Sequence, residues 1–475
     1  MSESSDQKLE AIIAAIKKKI TPVSADEERV RKVIDEFISL MTSIIREKGI
    51  AAKTVLVGSF AKGTWLPQKV EADIFILYSS KDDLKRNSIK HLEYFKSIFD
   101  RWEDRHAQHP YISGVFKGIK IDVVPSLEIT DASMKFTAVD RSPLHTKYIL
   151  SKINPDLTAE IRLLKSFLIG QNLYGAEIKI KGFSGYLCEL LIIYYKSFIK
   201  LLKECQSWKD RQIIILPEKP ISYDPAEKFK DPLIVIDPVD LDRNVASPVS
   251  RETLSRFIRS ASRFMQEPTE DFFFPIKTVP LKLQELTPMI NNTLFIITKV
   301  PPIPLDNLWG QLYRSLEGLK SFFELNDYTI RLSEIWTDEK DIAVFIFKFK
   351  SLLREKYKKR EGPPLNSPGE SRFLQKYIGQ KGKFKEPFKE GGRWMIMLER
   401  GVVNAKDLIE INLKKDNILR INLGGHIREA FKGYFQILCG SEISKLYLEN
   451  RSFAEFLTKI FTGELNLERG EKFKS

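Results

Sequence analysis

Val57-Gly58-Ser59-Phe60-Ala61-Lys62-Gly63-Thr64-Trp65-Leu66-Pro67, followed by Glu71-Ala72-Asp73-Ile74-Phe75-Ile76-Leu77-Tyr78, reads as a small-residue turn leading into a strand. In a strand successive side chains alternate between faces, so Glu71 and Asp73 project together while Ala72 and Ile74 turn to a core. Two carboxylates on one rigid face suit a hard divalent cation such as Mg2+, which takes oxygen ligands. An exposed strand also produces an E-x-D pair with no ligand role, so the neighbours decide. Upstream, Gly58-Ser59 stands where a strand ends and a helix begins, and small residues there let backbone N–H groups and the Ser59 hydroxyl approach an anionic phosphate. Downstream, Lys120-Ile121-Asp122-Val123-Val124-Pro125 sets a lone Asp in an apolar, β-prone run. A buried carboxylate without a partner is costly, so Asp122 needs a metal or a neighbouring Lys or Arg. On adjacent strands Glu71, Asp73 and Asp122 can hold two Mg2+ ions about 4 Å apart, one acting on a hydroxyl nucleophile and one on a triphosphate and its leaving pyrophosphate.

Around this segment the pattern is α/β. A first helix is expected from Leu9, Ile12, Ile13, Ile16 and Ile20 at helical spacing, and a second from Ser24, where Ser24 and Glu27 suggest a capping box. Short strands are expected at Thr54–Val57, Ala72–Tyr78 and Ile119–Val124, with a helix over Leu84–Arg105. From Asn154 to Lys203 the spacing is helical. Pro217, Pro220, Pro225, Pro232 and Pro238 then separate that run from another helix beginning near Ser250. Beyond Phe274 the order is a strand over Thr293–Val300, a helix around Leu308–Phe323, β-rich runs over Tyr328–Trp336 and Asp341–Phe349, apolar runs at Trp394–Leu398 and Ile418–Leu423, and a closing helix over Ile427–Leu438. The expected class is α+β and multidomain.

With 475 residues the chain holds several domains, and 43% hydrophobic against 29% charged residues excludes global disorder. A net charge of +13 favours a polyanionic partner, nucleic acid first. Cys188, Cys205 and Cys439 are odd in number and scattered, which rules out a disulfide framework or a CxxC zinc site. The most apolar segment, Leu187–Leu202, carries Glu189, Lys196 and Lys200, charges costly in a bilayer, so it reads as a buried helix. No membrane span and a cytoplasmic location are expected. Two basic clusters, Arg354–Arg360 and Lys376–Lys389, interleave Lys with Tyr357, Tyr377, Phe384 and Phe388. Phosphate attraction and base stacking would suit RNA there, although charge runs are commonly solvated faces.

GSFAKGTWLP, EADIFILY and KIDVVPS resemble the catalytic head of class I, archaeal-type tRNA CCA-adding enzymes. TAVDRSPLHTKYI, EIRLLKSFLIGQNLYGAE, KGFSGYLCELLI, DPVDLDRNVAS, DNLWGQLYRSLEGL and GGRW resemble further segments of that family in the same order. The Gly-Ser and carboxylate pattern alone is shared with poly(A) polymerases and oligoadenylate synthetases; the later segments are more specific. The resemblance implies a polymerase-β-like nucleotidyltransferase head at 1–150, a helical neck or central domain at 151–272, and a body at 273–475 with an inserted α+β tail at about 297–392 that binds tRNA. It implies addition of CCA to tRNA from CTP and ATP without a template, with Mg2+ as cofactor and a homodimer as a possible assembly. Glu71, Asp73 and Asp122 would be catalytic metal ligands. Ser59 and Lys62 would contact the triphosphate, and Ser142, His145, Lys165, Tyr174 and Arg243 would complete the nucleotide pocket, with Arg243 facing the base. By residue type alone, His145, Tyr174 and Lys165 fit ordinary packing and solvation equally well, and Arg243 fits an ion pair with Asp240 or Asp242.

Overall fold

The computed structural model describes residues 3–68, 70–106, 110–216, 220–274, 278–379 and 384–463, leaving out the side chains of 3–6 and 415–416. Pro217 and positions 380–383 of the second basic cluster lie outside the described residues. The chain forms two compact units, one within Met1–Lys277 and the other within Thr278–Leu465.

The first unit opens with α1 (Glu3–Ile20) and α2 (Ser24–Glu47). The expected capping box at Ser24 does not form. Val23 is the N-cap residue and contributes no side-chain cap, so Ser24 is already inside the helix. Then come β1 (Ala52–Val57), the single-turn α3 (Gly58–Ala61), β2 (Glu71–Tyr78), α4 (Lys81–Phe95), β3 (Arg101–His106), β4 (Pro110–Phe116) and β5 (Ile119–Leu127). The strands make one sheet in the order β1-β2-β5-β4-β3, with β2 and β5 parallel. Its inner face buries Ile74, Ile76, Ile112, Ile121 and Val123 under Phe37 and Met41 of α2 and Leu92 and Phe95 of α4. Alternation leaves Glu71, Asp73 and Asp122 on the opposite face, partly accessible. The helix expected over Leu84–Arg105 stops at Phe95, and its last residues are β3 instead. Residues 101–105 are exposed, so this edge strand carries no apolar alternation, and its conformation comes from pairing with β4.

The chain continues through α5 (Ser142–Lys152), α6 (Pro155–Gly170), α7 (Gly185–Tyr195), α8 (Phe198–Glu204), β6 (Gln212–Ile215), α9 (Pro225–Lys228), β7 (Leu233–Ile236) and α10 (Arg251–Gln266). The run expected as one buried helix over Leu187–Leu202 is two helices. Lys196 at φ 67° ends α7, and Ser197 caps α8 by accepting from the N–H of Lys200. Phe167, Leu187, Leu191, Phe257 and Phe264 form a helical core to which Leu9, Ile16 and Ile20 of α1 also belong.

In the second unit α11 (Leu283–Met289), β8 (Thr293–Lys299), α12 (Leu305–Leu325), β9 (Ile330–Thr337) and β10 (Ile342–Phe349) precede β11 (Tyr357–Pro364), α13 (Glu370–Tyr377), β12 (Phe388–Glu390) and β13 (Arg393–Glu399). The chain then forms α14 (Ala405–Leu413), α15 (Gly425–Gly433), β14 (Phe435–Cys439), α16 (Ser444–Glu449) and α17 (Arg451–Thr462). The sheet β14-β8-β10-β9 is buried on both faces, Leu294 and Ile296 against one core and Phe295 and Ile297 against another, which is why β8 reads as an unbroken apolar run. The closing helix expected over Ile427–Leu438 ends at Gly433, and residues 435–439 are the edge strand of that sheet. In the basic cluster, Arg354 is committed locally, its guanidinium donating to the Val402 carbonyl (2.8 Å) and lying over Tyr328. Lys358 pairs with Asp327 (2.7 Å), and Lys359 with Glu390.

Candidate active site

Strand pairing sets the site's geometry. Asp73 of β2 lies directly opposite Asp122 of the parallel neighbour β5 and opposite Val57 of β1, and Glu71 lies opposite Lys120. Adjacent strands are about 4.8 Å apart, so Asp73 and Asp122 present neighbouring carboxylates on one face. The Ser113 hydroxyl of β4 donates to Asp122 Oδ1 (2.5 Å), and the Lys120 ammonium to Glu71 Oε1 (2.8 Å). Burial, then the charges of Asp122 and Glu71, push the Asp73 carboxyl up to about 6, against the opposing pull of Lys62 and Lys120. Among the described residues no group of three or more His, Cys, Asp or Glu side chains stands as a ready-made metal cage. What exists is a repulsive carboxylate pair with Glu71 turned to Lys120. Oxygen donors crowded until one resists ionisation fit a divalent cation, provided Glu71 exchanges its lysine for it.

Gly58 follows β1 with φ +75°, and a Cβ there would fall 1.9 Å from Asp73 Oδ2. Only glycine lets the turn close onto the carboxylate, and this brings Ser59, the next residue of α3, beside the acidic face. The turn ends at Lys62, whose buried ammonium donates to Glu189 Oε2 of α7 (2.5 Å). Glu189 Oε1 accepts from the Thr64 hydroxyl (2.7 Å) and from Lys165 of α6 (3.1 Å), and Lys165 also donates to Thr64 Oγ1 (2.9 Å). Burial opposes ionisation of Glu189, but Lys62 and Lys165 outweigh it and hold the carboxyl at about 2. Burial lowers Lys165. The Tyr174 hydroxyl packs above Gly185, close to the Lys165 ammonium, where a Cβ on Gly185 would sit 2.9 Å from the hydroxyl and 3.6 Å from Lys165 Nζ. Burial, with Cys188 and Glu189 nearby, raises the Tyr174 phenol and keeps it protonated.

A second buried carboxylate gathers the rest. Asp237, at the end of β7 and 0% exposed, accepts from Arg243 Nη1 (2.9 Å), the Tyr186 hydroxyl (3.0 Å) and the N–H of Val239 (2.9 Å), and lies 2.9 Å from His145 Nε2. Burial lowers His145, leaving a neutral ring that serves Asp237 as the Nε2–H tautomer. The Tyr186 ring stacks on His145 with centroids 4.0 Å apart and lies 6.0 Å from the Lys62 ammonium, so it links the two carboxylate clusters. Ser142 opens α5 one turn before His145. The structure thus brings Glu71, Asp73, Asp122, Ser59 and Lys62 to one sheet face and turn, joins Lys62 to Lys165 through Glu189 beside Tyr174, and sets His145 and Arg243 on Asp237. Arg243 is ion-paired with Asp237, not with Asp240 or Asp242. Asp240 is held by Arg141 and Lys135, and Asp242 by Lys228.

Sequence reading passed over Glu189, Asp237 and Tyr186. The signal was present for the two acids. Each is a single carboxylate in or at the end of a continuous apolar run, the condition already applied to Asp122, and such a group demands a partner.

Known proteins share this architecture. A nucleotidyltransferase domain model matches residues 38–145, a model of the second domain of tRNA nucleotidyltransferases matches 159–274, and a model of the CCA-adding enzyme C-terminal domain matches 292–440. A CCA-adding enzyme of Pyrobaculum islandicum is 33% identical over 87% of this chain and 96% of its own. That of Methanocaldococcus jannaschii is 35% identical over 78% and 84%, and that of Methanosarcina mazei 32% over 94% and 97%.

Proposed function

Since the chain belongs to the archaeal-type CCA-adding enzymes, template-independent tRNA nucleotidyltransferases with a polymerase-β-like fold, we propose that Glu71, Asp73 and Asp122 are its catalytic metal ligands and Mg2+ its metal. The enzyme adds C, C and A to the tRNA 3′ end from CTP and ATP and releases pyrophosphate. The observation that carries the site assignment is the direct pairing of Asp73 with Asp122 beside a glycine turn that admits nothing larger. Glu71, Asp73 and Asp122 would hold divalent cations there, and these would supply positive charge to offset the charge that develops as the 3′-oxygen bonds to the α-phosphorus and the bridging oxygen departs with pyrophosphate. The chain's own groups bind and orient: Ser59 and Lys62 hold the triphosphate, Lys165, Tyr174, Ser142 and His145 build the pocket around the nucleotide, and Arg243 meets the base. Residues 1–150 serve as head, 151–272 as neck, and 273–475 as body with a tRNA-binding tail at about 297–392.

The reaction is tested with tRNA lacking its 3′ terminus and labelled CTP, ATP, GTP or UTP. Two C additions followed by one A and then arrest are expected; a long A tail or no incorporation would overturn the reading. We also place the enzyme in the cytoplasm, in keeping with its free cysteines and with the finding that no described helix is long and apolar enough to cross a membrane. A homodimer is part of the same proposal and is decided by light scattering at assay concentration.

The metal assignment makes a thermal prediction. Asp73 rises from an ordinary 3.8 to about 6, so its folded-state contribution is fullest below about 4 and is lost as pH climbs through about 6. Above that, the metal-free protein carries the full carboxylate repulsion, and a cation relieves it. Millimolar Mg2+ should raise Tm by roughly 3 °C at pH 7.5 and by less than about 1 °C at pH 5. A shift independent of pH, or none at pH 7.5, would count against these ligands.

A further inference from the structure

The seven-residue excursion from Asp237 to Arg243 is closed on itself. The N–H of Asp237 donates to the Arg243 carbonyl (3.0 Å), and the Arg243 N–H donates to the Asp240 carbonyl (2.9 Å). Within this loop one carboxylate oxygen of Asp237 receives both Arg243 Nη1 and His145 Nε2, while the other takes the Tyr186 hydroxyl and the Val239 N–H. The Arg243 side chain keeps 31% of its surface exposed, whereas Asp237 keeps none. A guanidinium has N–H donors in a planar fork, so pinning Nη1 fixes the plane and direction of the rest.

We infer that Asp237 is a positioning residue for base choice, holding Arg243 in the one orientation from which its outward N–H groups test the incoming base. The inference rests on the proposed assignment of Arg243 to the base. Its chemical logic lies in the bases themselves. Cytosine N3 and adenine N1 are hydrogen-bond acceptors beside an exocyclic amine, whereas uracil N3 and guanine N1 carry hydrogens. A fixed donor therefore accepts C and A and meets U or G donor to donor, leaving a buried polar group unpaired, the kind of mismatch that gives large discrimination. A freely rotating arginine turns away from the mismatch and loses the penalty. The buried carboxylate converts a flexible side chain into a fixed test.

The experiment measures kcat/KM for CTP against UTP on full-length enzyme with tRNA lacking its 3′ terminus, and for ATP against GTP on tRNA ending in CC. Asp237→Asn keeps the shape and removes the charge. It is expected to lower both ratios by about tenfold or more, the loss expected for a charged hydrogen bond. In an Arg243→Ala background the same change should add less than about twofold, because Asp237 acts through Arg243. A general structural defect would slow all nucleotides alike and would add to the Arg243→Ala effect. Tyr186→Phe removes one donor from Asp237 without touching Arg243, should lower the ratios about threefold, and decides the matter if Asp237→Asn does not fold. Unchanged ratios in the Asp237 and Tyr186 variants, with Arg243→Ala abolishing discrimination, overturn the role of Asp237 alone. Ratios preserved in Arg243→Ala overturn the assignment of Arg243, and this inference with it.

Discussion

Asp73→Ala should reduce nucleotide incorporation by on the order of 10³-fold or more while tRNA affinity changes by less than about threefold and Tm does not fall. The three outcomes follow from one geometry. Asp73 stands opposite Asp122 in the parallel register, on the same face as Glu71, so it is the central carboxylate of the set. Its removal leaves two acids that no longer flank a common oxygen donor, and charge developing on the triphosphate loses its counterweight. Stability behaves differently, because burial, Asp122 and Glu71 all disfavour the Asp73 carboxylate at neutral pH and push its carboxyl up to about 6. Deleting a group that the folded state resists ionising removes repulsion, so the metal-free variant should melt at or above the parent temperature at pH 7.5. Filter binding with 3′-truncated tRNA, single-turnover incorporation and a thermal melt check the three parts. Activity above a few per cent of the parent, or a Tm several degrees lower, would show that Asp73 is structural.

The acidic face was legible in the sequence because strand alternation is local. From Glu71-Ala72-Asp73-Ile74 alone, Ala72 and Ile74 belong inside and the acids outside, and both are found there. The convergence of Asp122 was legible for an energetic reason, an Asp alone in an apolar strand. Less legible were elements whose conformation is imposed from a distance. Residues 101–105, exposed along an edge, take strand geometry from β4, and residues 435–439 become a strand only because β8 offers its free edge. Nothing in either segment's own periodicity carries that information. Glu189 was visible but read only as a charge that keeps α7 out of a membrane. Its partners lie 127 and 24 residues away, at Lys62 and Lys165, and no local window contains them. Asp237 carried the same local sign, a carboxylate at the end of an apolar run, but its partners His145 and Tyr186 lie 92 and 51 residues away.

Glu189→Gln is expected to destabilise the first unit by about 3–5 kcal/mol, the cost of breaking a buried ion pair from one side. The argument starts from what the change leaves behind. Glu189 is 0% exposed and stands between two buried ammoniums, with Thr64 completing its hydrogen bonds. A neutral amide of the same shape leaves Lys62 and Lys165 without a counter-charge, in a place that already lowers Lys165 through burial. A Tm drop of more than roughly 6 °C should follow. Adding Lys165→Met should recover part of that loss, since one uncompensated cation is removed and coupled sites do not add. The pH dependence has a defined sign: the Glu189 carboxyl lies near 2 when folded and near 4.5 when unfolded, so its contribution is complete above about 4.5 and disappears as pH falls toward 2. The gap between parent and variant should therefore stay level from pH 5 to 8 and close in acid. Equal melting temperatures at pH 7 would mean that the carboxylate does not hold the lysines together. A gap that widened in acid would place the relevant titration on another group. Because Lys62 is the cation proposed to hold the triphosphate and Lys165 is proposed to line the nucleotide pocket, the variant should also raise the apparent KM for CTP more than it lowers kcat. That split is the kinetic sign that binding cations, and not the reacting face, have lost their support.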